Sequence, residues 1–443
     1  MHMKKILRIC ISISLVAILT IGIYINAMMP IFTGYAAKNL ASAVFISGRT
    51  QADVEAHELN FSFVKYARNK VDYDRKRVTS SFLWGRSTAV YRNGYGVTLV
   101  RGCSADDFQS QKYPLTSVTQ CRALVFPEAD SLEKCRLEPI AKALVDERAY
   151  NGTPFAFVVL HRGAVAAERY REGIDASTRL ISWSMAKSFT NALAGIMAGD
   201  GLVDIHAPMD IPEWQNDGRK YITLNDMMQM QSGLEWNEDY GSRSDVNVML
   251  HCERDMGLYA QSKALEYEPG THWYYSSGST NVVMRYLRGR FESDQAFLAY
   301  LQGRLFAPLG IADACFEPDM SGTPVGSSYL YMRARDFARF GQMYLDGGVV
   351  EGERVLPEGW VEYTVTPASA SGDVYGSFFW LNRSRECPDV PDDMFSCDGH
   401  DGQQIYIIPS KELVVVVLGY SPRPDHVIDF NGLLRDIIKA VES

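Results

Sequence analysis

From Ile9 to Ala37 the chain carries no charged side chain, and Lys4, Lys5 and Arg8 stand immediately before that stretch. A helix needs about 20 mainly apolar residues to cross a bilayer, whereas the apolar part of a signal peptide takes about 7–15. The run ISISLVAILTIGIYINAMMPIF is long enough to span. Residues 1–37 are therefore expected to form an uncleaved membrane anchor, with cleavage near Ala27 or Ala37 as the alternative. Basic residues stay on the cytoplasmic side. The remainder is expected outside the cytoplasm, in the periplasm if the source is Gram-negative, or secreted if the segment is removed.

Beyond the anchor the sequence has an ordinary globular character, with 47% hydrophobic and 22% charged residues in a chain of 443. That length suits one large domain plus additions, or two domains. The 44 basic against 53 acidic residues give a formal charge of -9, which repels phosphate backbones, and no basic patch offsets it. Nucleic acid is excluded as an expected partner.

Three regions are expected: residues 1–37, the anchor; 38–130, a small β-rich accessory region; and 131–443, the main domain. In the second, RVTSSFLW and STAVYRNGYGVTLV are rich in β-branched and aromatic residues, and Asn93-Gly94 is a favoured hairpin turn. In the third, LEKCRLEPIAKALVDERA has helical spacing, and FAFVVLHRGAVAAERY reads as a hairpin turning at Arg162-Gly163. A helix is expected through MAKSFTNALAGIMAGDG, and two strands, GQQIYIIP and LVVVVLGY, precede a last helix in HVIDFNGLLRDIIKAVES. Strands at both ends enclosing a mainly helical middle imply a sheet assembled from distant parts of the chain, with helices on its faces.

Seven of the eight cysteines come after Cys10, in a compartment where disulfides persist. Cys387 with Cys397, flanking the loop CPDVPDDMFSC, and Cys103 with Cys121 are plausible pairs. No CxxC or His-rich spacing suggests a metal.

The chemistry is concentrated in Ser184-Met185-Ala186-Lys187. If the serine opens a helix, residues three apart share a face, and the Lys187 ammonium reaches the Ser184 hydroxyl. A serine hydroxyl needs a base to take its proton, and a lysine serves when burial lowers its pKa toward neutrality. The helix N-terminus and the Ser184 N–H would stabilise the oxyanion at the attacked carbonyl. Alone, SxxK is a common pattern, and Ser80, Ser182 and Ser188 compete for the role.

The surroundings decide between them. The segment ISWSMAKSFTNALAGIMAGDGLVDIHAPM resembles the nucleophile helix of serine β-lactamases, D,D-peptidases, family VIII esterases and aminohexanoate-oligomer hydrolases. ITLNDMMQMQSGLEW, PGTHWYYSSGSTNVV and SSYLYMRARDFARFGQMYLDGGVV resemble further elements of that family in its order, so the likeness runs from roughly residue 135 to 443. It implies an α/β (α+β) β-lactamase-like sandwich, an antiparallel sheet flanked by helices with a helical insertion.

The resemblance also implies roles. Aligning PGTHWYYSSG selects Tyr275 over Tyr274 as the tyrosine that passes a proton between Ser184 and the leaving group, given a pKa brought below about 10. Ser277 stands where the family usually has asparagine. The third motif, Lys-Thr-Gly or His-x-Gly on an edge strand, is best matched by His400-Asp401-Gly402. Gly402 would admit substrate close to the backbone, Gln403 N–H would be the second oxyanion donor, and His400 would contact a carboxylate or brace the pocket. The relaxed second and third motifs favour an esterase or small-amide hydrolase acting on a small-molecule or short-peptide substrate without cofactor or metal. A D,D-peptidase (penicillin-binding protein) or β-lactamase is the enzymatic alternative, and an anchored ligand-binding sensor without turnover is the other.

Overall fold

The computed structural model describes residues 2–111, 121–122, 124–422 and 426–443. Residues 112–120 and 123 of the expected accessory region, and 423–425 before the last helix, lie outside the described residues.

Four consecutive hydrophobic residues, Val414–Val417, show how the main domain is organised. Successive side chains of a strand point to opposite faces, so an unbroken apolar run requires cover on both. Their strand, β15 (Leu413–Gly419), shares a sheet with β5 (Pro154–His161), β6 (Ala164–Tyr170), β12 (Trp380–Leu381), β13 (Phe395–Gly399) and β14 (Gln403–Ile408). This six-stranded antiparallel sheet has the order β12-β13-β14-β15-β5-β6. Leu413, Val415 and Val417 join Phe157, Val159 and Ile408 in a core under helices α2 (Ser131–Val145) and α7 (Phe430–Glu442). Val414, Val416 and Leu418 face the larger core with Val158, Leu160 and Ile405, under α3 (Ala186–Gly199) and α6 (Ala334–Leu345). Between those two helices the chain makes a helical layer that includes α4 (Asp245–Cys252) and α5 (Ser277–Arg288). The expected sandwich with a helical insertion is the fold observed, and the Arg162-Gly163 turn joins β5 to β6 with both residues at positive φ.

The accessory strands form a separate four-stranded antiparallel sheet in sequence order: β1 (Arg68–Asp72), β2 (Arg77–Phe82), β3 (Gly85–Arg92) and β4 (Gly96–Leu99). Asn93-Gly94 lies in the turn between the last two. A small sheet of β7 (Leu180–Ile181), β9 (Leu330–Met332) and β8 (Cys315–Phe316) links this part to the main domain, and a short hairpin pairs β10 (Val349–Val350) with β11 (Glu353–Arg354).

One helix, α1 (His2–Phe45), runs across the expected boundary at residue 37. Its stretch Ile9–Phe45 is long and apolar enough to cross a membrane, with a mean hydropathy of 2.2 in its most apolar part. Its two halves differ. Ile9 to Tyr24 present exposed apolar side chains, whereas Ala36, Ala37, Leu40 and Ala41 are fully buried against Val78, Ala89 and Val97 of the accessory sheet. Residues 38–45, expected in a β-rich region, are helical because their apolar face is one wall of that core.

The joint is closed by a buried carboxylate. Glu317 accepts from Lys38 Nζ, from Ser42 Oγ at 2.9 Å and from Val97 N–H at 2.7 Å, and burial pushes its pKa up. Gly96, at φ +75, lets the chain pass beside it, since a Cβ there would lie 2.8 Å from Glu317 Cγ.

No disulfide joins either expected cysteine pair. Cys387 belongs to the core on one face of the main sheet and Cys397 to the core on the other, so the sheet separates them. Cys103 is exposed, and Cys121 Sγ lies 3.4 Å from the Ile311 carbonyl.

Removing one partner of a buried ion pair leaves the other charge unpaired, at a cost of about 3–5 kcal/mol. Glu317→Ala is therefore expected to lower the unfolding free energy by about that amount, measured by denaturant titration of the full chain in detergent.

Candidate active site

Ser184 lies in a 3-10 turn, Trp183–Met185, that runs directly into α3. Trp183 has φ 45, a left-handed conformation that costs a bulky residue free energy and here sits beside the proposed nucleophile. Ser182, Trp183, Met185, Ala186 and Lys187 are buried, so Ser184 is the accessible point of an otherwise covered segment. The competing hydroxyls are engaged elsewhere: Ser188 Oγ donates to the Phe378 carbonyl at 2.8 Å, Ser182 Oγ to the Trp183 carbonyl at 2.9 Å and Ser80 Oγ to Asn69 Oδ1 at 2.6 Å.

Lys187 Nζ is 3.0 Å from Ser184 Oγ, 3.0 Å from Ser277 Oγ and 3.2 Å from the Ser327 carbonyl. These three partners are neutral oxygens. Burial lowers its pKa to about 8, against the smaller opposing fields of Glu238 and Asp398. Asn281 fixes the third contact: its Nδ2 donates to Ser327 Oγ at 3.0 Å and its Oδ1 accepts from Ser327 N–H at 3.2 Å.

Tyr275 stands beside this ammonium, with Lys187 Nζ 4.8 Å from the ring centroid and a hydrogen bond between its hydroxyl and Ser184. Tyr274 is exposed instead. The Tyr275 ring is held by Trp380, stacked at 5.4 Å, and by Tyr375, edge-on at 6.0 Å. Its expected lowered pKa is not found. Burial, followed by the Glu238 carboxylate, raises it well above the ordinary value, with the Ser184 hydrogen bond opposing. Tyr275 is therefore a neutral phenol that can donate or relay a proton, and Lys187 is the group whose pKa suits a base.

Ser277, at the start of α5, connects Lys187 to Glu238. Its Oγ donates to Glu238 Oε1 at 2.5 Å and its N–H to Oε2 at 2.9 Å. Trp236 Nε1 at 2.5 Å and the Tyr240 hydroxyl at 3.0 Å complete the shell of that carboxylate. Gly278 makes room, because a Cβ there would lie 2.5 Å from the Trp236 ring. Glu238 was not foreseen from sequence: it sits in a loop 39 positions from Ser277, with no local pattern to mark it.

The third motif is placed differently from expectation. His400–Gly402 is a 3-10 turn between β13 and β14, with Asp401 at φ 59 and Gly402 at φ 85, and not an edge strand. The strand beside the nucleophile turn is β13, where a Cβ on Gly399 would run into the Ser182 carbonyl. Its Asp398 exerts a field on both Lys187 and Tyr275. Gly402 faces Ser421, and the Gln403 side chain is bonded to Gly419, its Oε1 accepting from the N–H at 2.9 Å. His400 lies at the rim, stacked on Tyr240 at 5.2 Å, edge-on to Trp183 at 5.7 Å and 3.2 Å from Asp401 Oδ1. Among the described residues no cluster of His, Cys, Asp and Glu could hold a metal ion.

The Beta-lactamase family model matches residues 139–432. The chain belongs to the Beta-lactamase family. A 6-aminohexanoate-dimer hydrolase of Paenarthrobacter ureafaciens is 28% identical over 346 residues, covering 70% of this chain and 84% of that protein. A family VIII carboxylesterase has the same fold, with a TM-score of 0.52 at 16% identity over 72% of this chain and 99% of its own. So has a penicillin-binding protein homologue from Caulobacter crescentus, with a TM-score of 0.53 at 13% identity over 72% and 98%. The proteins this chain resembles are thus described as a 6-aminohexanoate-dimer hydrolase, a carboxylesterase and a penicillin-binding protein homologue.

If neutral Lys187 is the base, kcat/KM is expected to fall about tenfold per pH unit below about 8, where the amine is protonated, and to level off above it. Glu238→Gln removes a field that raises the Lys187 pKa, so the acid limb of the profile is expected to move to lower pH. Steady-state rates measured from about pH 5 to about pH 10 on both proteins check the pair of shifts.

Proposed function

We propose that this chain is an exported, membrane-anchored serine hydrolase that cleaves a carboxylic ester or small amide through an acyl-enzyme on Ser184. The observation that carries the reading is the Lys187 amine, buried, depressed to about 8 and 3.0 Å from the Ser184 hydroxyl. In the proposed reaction Ser184 Oγ attacks the carbonyl carbon while its proton passes to neutral Lys187. The oxyanion is held by the Ser184 N–H. The tetrahedral intermediate expels the alcohol or amine, which takes its proton from Lys187 by way of the Tyr275 phenol. Water, giving up a proton along the same route, then attacks the acyl carbon and releases the acid and Ser184.

Substrate charge is set by the pocket. Glu238 and Asp398 surround the reacting groups with negative charge, and His400, the nearest candidate cation of the third motif, is paired with Asp401. A carboxylate next to the scissile bond, as penicillins carry, meets repulsion there. A neutral ester, or an amide bearing an ammonium group, does not. The aminohexanoate-dimer hydrolase and esterase relatives support the same choice.

The anchoring reading rests on the exposed apolar half of α1. The partner on that side is lipid, and on the other a small-molecule or short-peptide substrate.

Purified full chain is expected to turn over p-nitrophenyl butyrate steadily, and Ser184→Ala to lose at least about a thousandfold of that rate. An inactive wild type that binds penicillin without release would instead mark a ligand-binding sensor. Equal rates in the two proteins would exclude Ser184 as nucleophile.

A further inference from the structure

Where α1 leaves the folded protein it is ringed by aromatic side chains. Its exposed stretch ends at Asn26, and Met28 and Met29 are already buried. Around that exit the β2–β3 turn carries Phe82, Leu83 and Trp84, and the segment before β1 carries Phe61, Phe63 and Tyr66. Trp84 Nε1 donates to Asn26 Oδ1 at 2.9 Å, and Phe32 packs against Phe63 at 5.7 Å and Phe82 at 6.4 Å. Gly85 lets the turn close on the helix, since a Cβ there would lie 2.6 Å from Met29 Cβ. Yet the outer members face outward, with Phe63 55%, Tyr66 59%, Leu83 65% and Trp84 61% exposed. Lys65 lies among them, its Nζ 5.2 Å from the Tyr66 ring centroid.

Apolar rings with polar handles and a nearby lysine match the headgroup region of a bilayer, where Trp and Tyr concentrate and lysines extend to water. The spacing agrees. Ile9 to Ala27 extends about 28 Å at about 1.5 Å per residue, close to the hydrocarbon thickness of about 30 Å. The ring therefore falls at one edge of the span and not in the aqueous phase.

Resting on the anchoring reading, we propose that Phe63, Tyr66, Leu83 and Trp84 form a lipid-interface seat, so that the accessory sheet docks on the membrane around the emerging helix and the domain is held against the bilayer surface. The seat sets the height of the catalytic turn. Tyr35, nine residues and about 14 Å beyond Asn26, stacks on Trp183 at 6.2 Å, next to Ser184. Substrate consequently meets the nucleophile close to the membrane surface.

The test reconstitutes the full chain in phosphatidylcholine vesicles and compares tryptophan emission with lipids brominated near the glycerol or near the chain end. None of the seven tryptophans lies in α1, and Trp84 is the one in the ring. The protein should float with the vesicles, shallow bromines should quench part of its emission, deep bromines should not, and Trp84→Phe should abolish that quenching. Failure to float refutes the anchor and the seat with it. Flotation with no shallow quenching, or with quenching unchanged in Trp84→Phe, leaves the anchor intact and overturns the seat, including the case in which a second copy of the chain covers the ring.

Discussion

An ammonium group held in the protein interior by neutral oxygens is the constraint on which the site depends. Lys187 has the Ser184 and Ser277 hydroxyls and the Ser327 carbonyl around it, and among the described residues no carboxylate pairs with it directly. A direct carboxylate partner would fix the charge and remove the base; full exposure would restore the ordinary lysine pKa. The intermediate arrangement needs each oxygen to be held by something else. Asn281 holds Ser327, Glu238 holds Ser277, and the strained Trp183 turn presents Ser184. These supports come from helices α3 and α5 and from the loops at residues 238 and 327. The packing of the helical layer against the sheet is thus a requirement of the proposed chemistry as well as of stability.

The negative field of the pocket acts in two directions. Glu238 and Asp398 favour the protonated lysine and add to the larger effect of burial that keeps Tyr275 a neutral phenol. Burial wins for Lys187, because desolvation is the larger effect, but the two carboxylates limit how far its pKa falls. In the proposed reaction they separate the roles of the two residues: one exchanges its proton near neutral pH, the other keeps its own until it is paired with a leaving group.

Much of this was legible in the sequence where the pattern is local. The unbroken apolar run of Leu413–Leu418, the Arg162-Gly163 turn and the three-residue spacing of Ser184 and Lys187 each express short-range geometry. What escaped depends on distant partners. Residues 38–45 are helical because Val78, Ala89 and Val97 cover them, and no feature of that short segment announces the cover. His400-Asp401-Gly402 matches a strand motif by composition, but Asp401 and Gly402 both take positive φ and turn the chain. Cys387 and Cys397 are near neighbours in sequence, and a whole sheet lies between the cores they enter.

The reach between Lys38 and Glu317 also bears on how the protein is made. The two partners are separated by 279 positions. At about 5–20 residues per second, a ribosome takes roughly 14–56 s to supply the second after the first. For most of that interval, once Leu99 has been made, the buried half of α1 has its accessory strands but lacks the carboxylate for its lysine. This helix is thus made well before the residue that completes its packing. A chain arrested before residue 317 would lack the carboxylate that Lys38 meets at the joint.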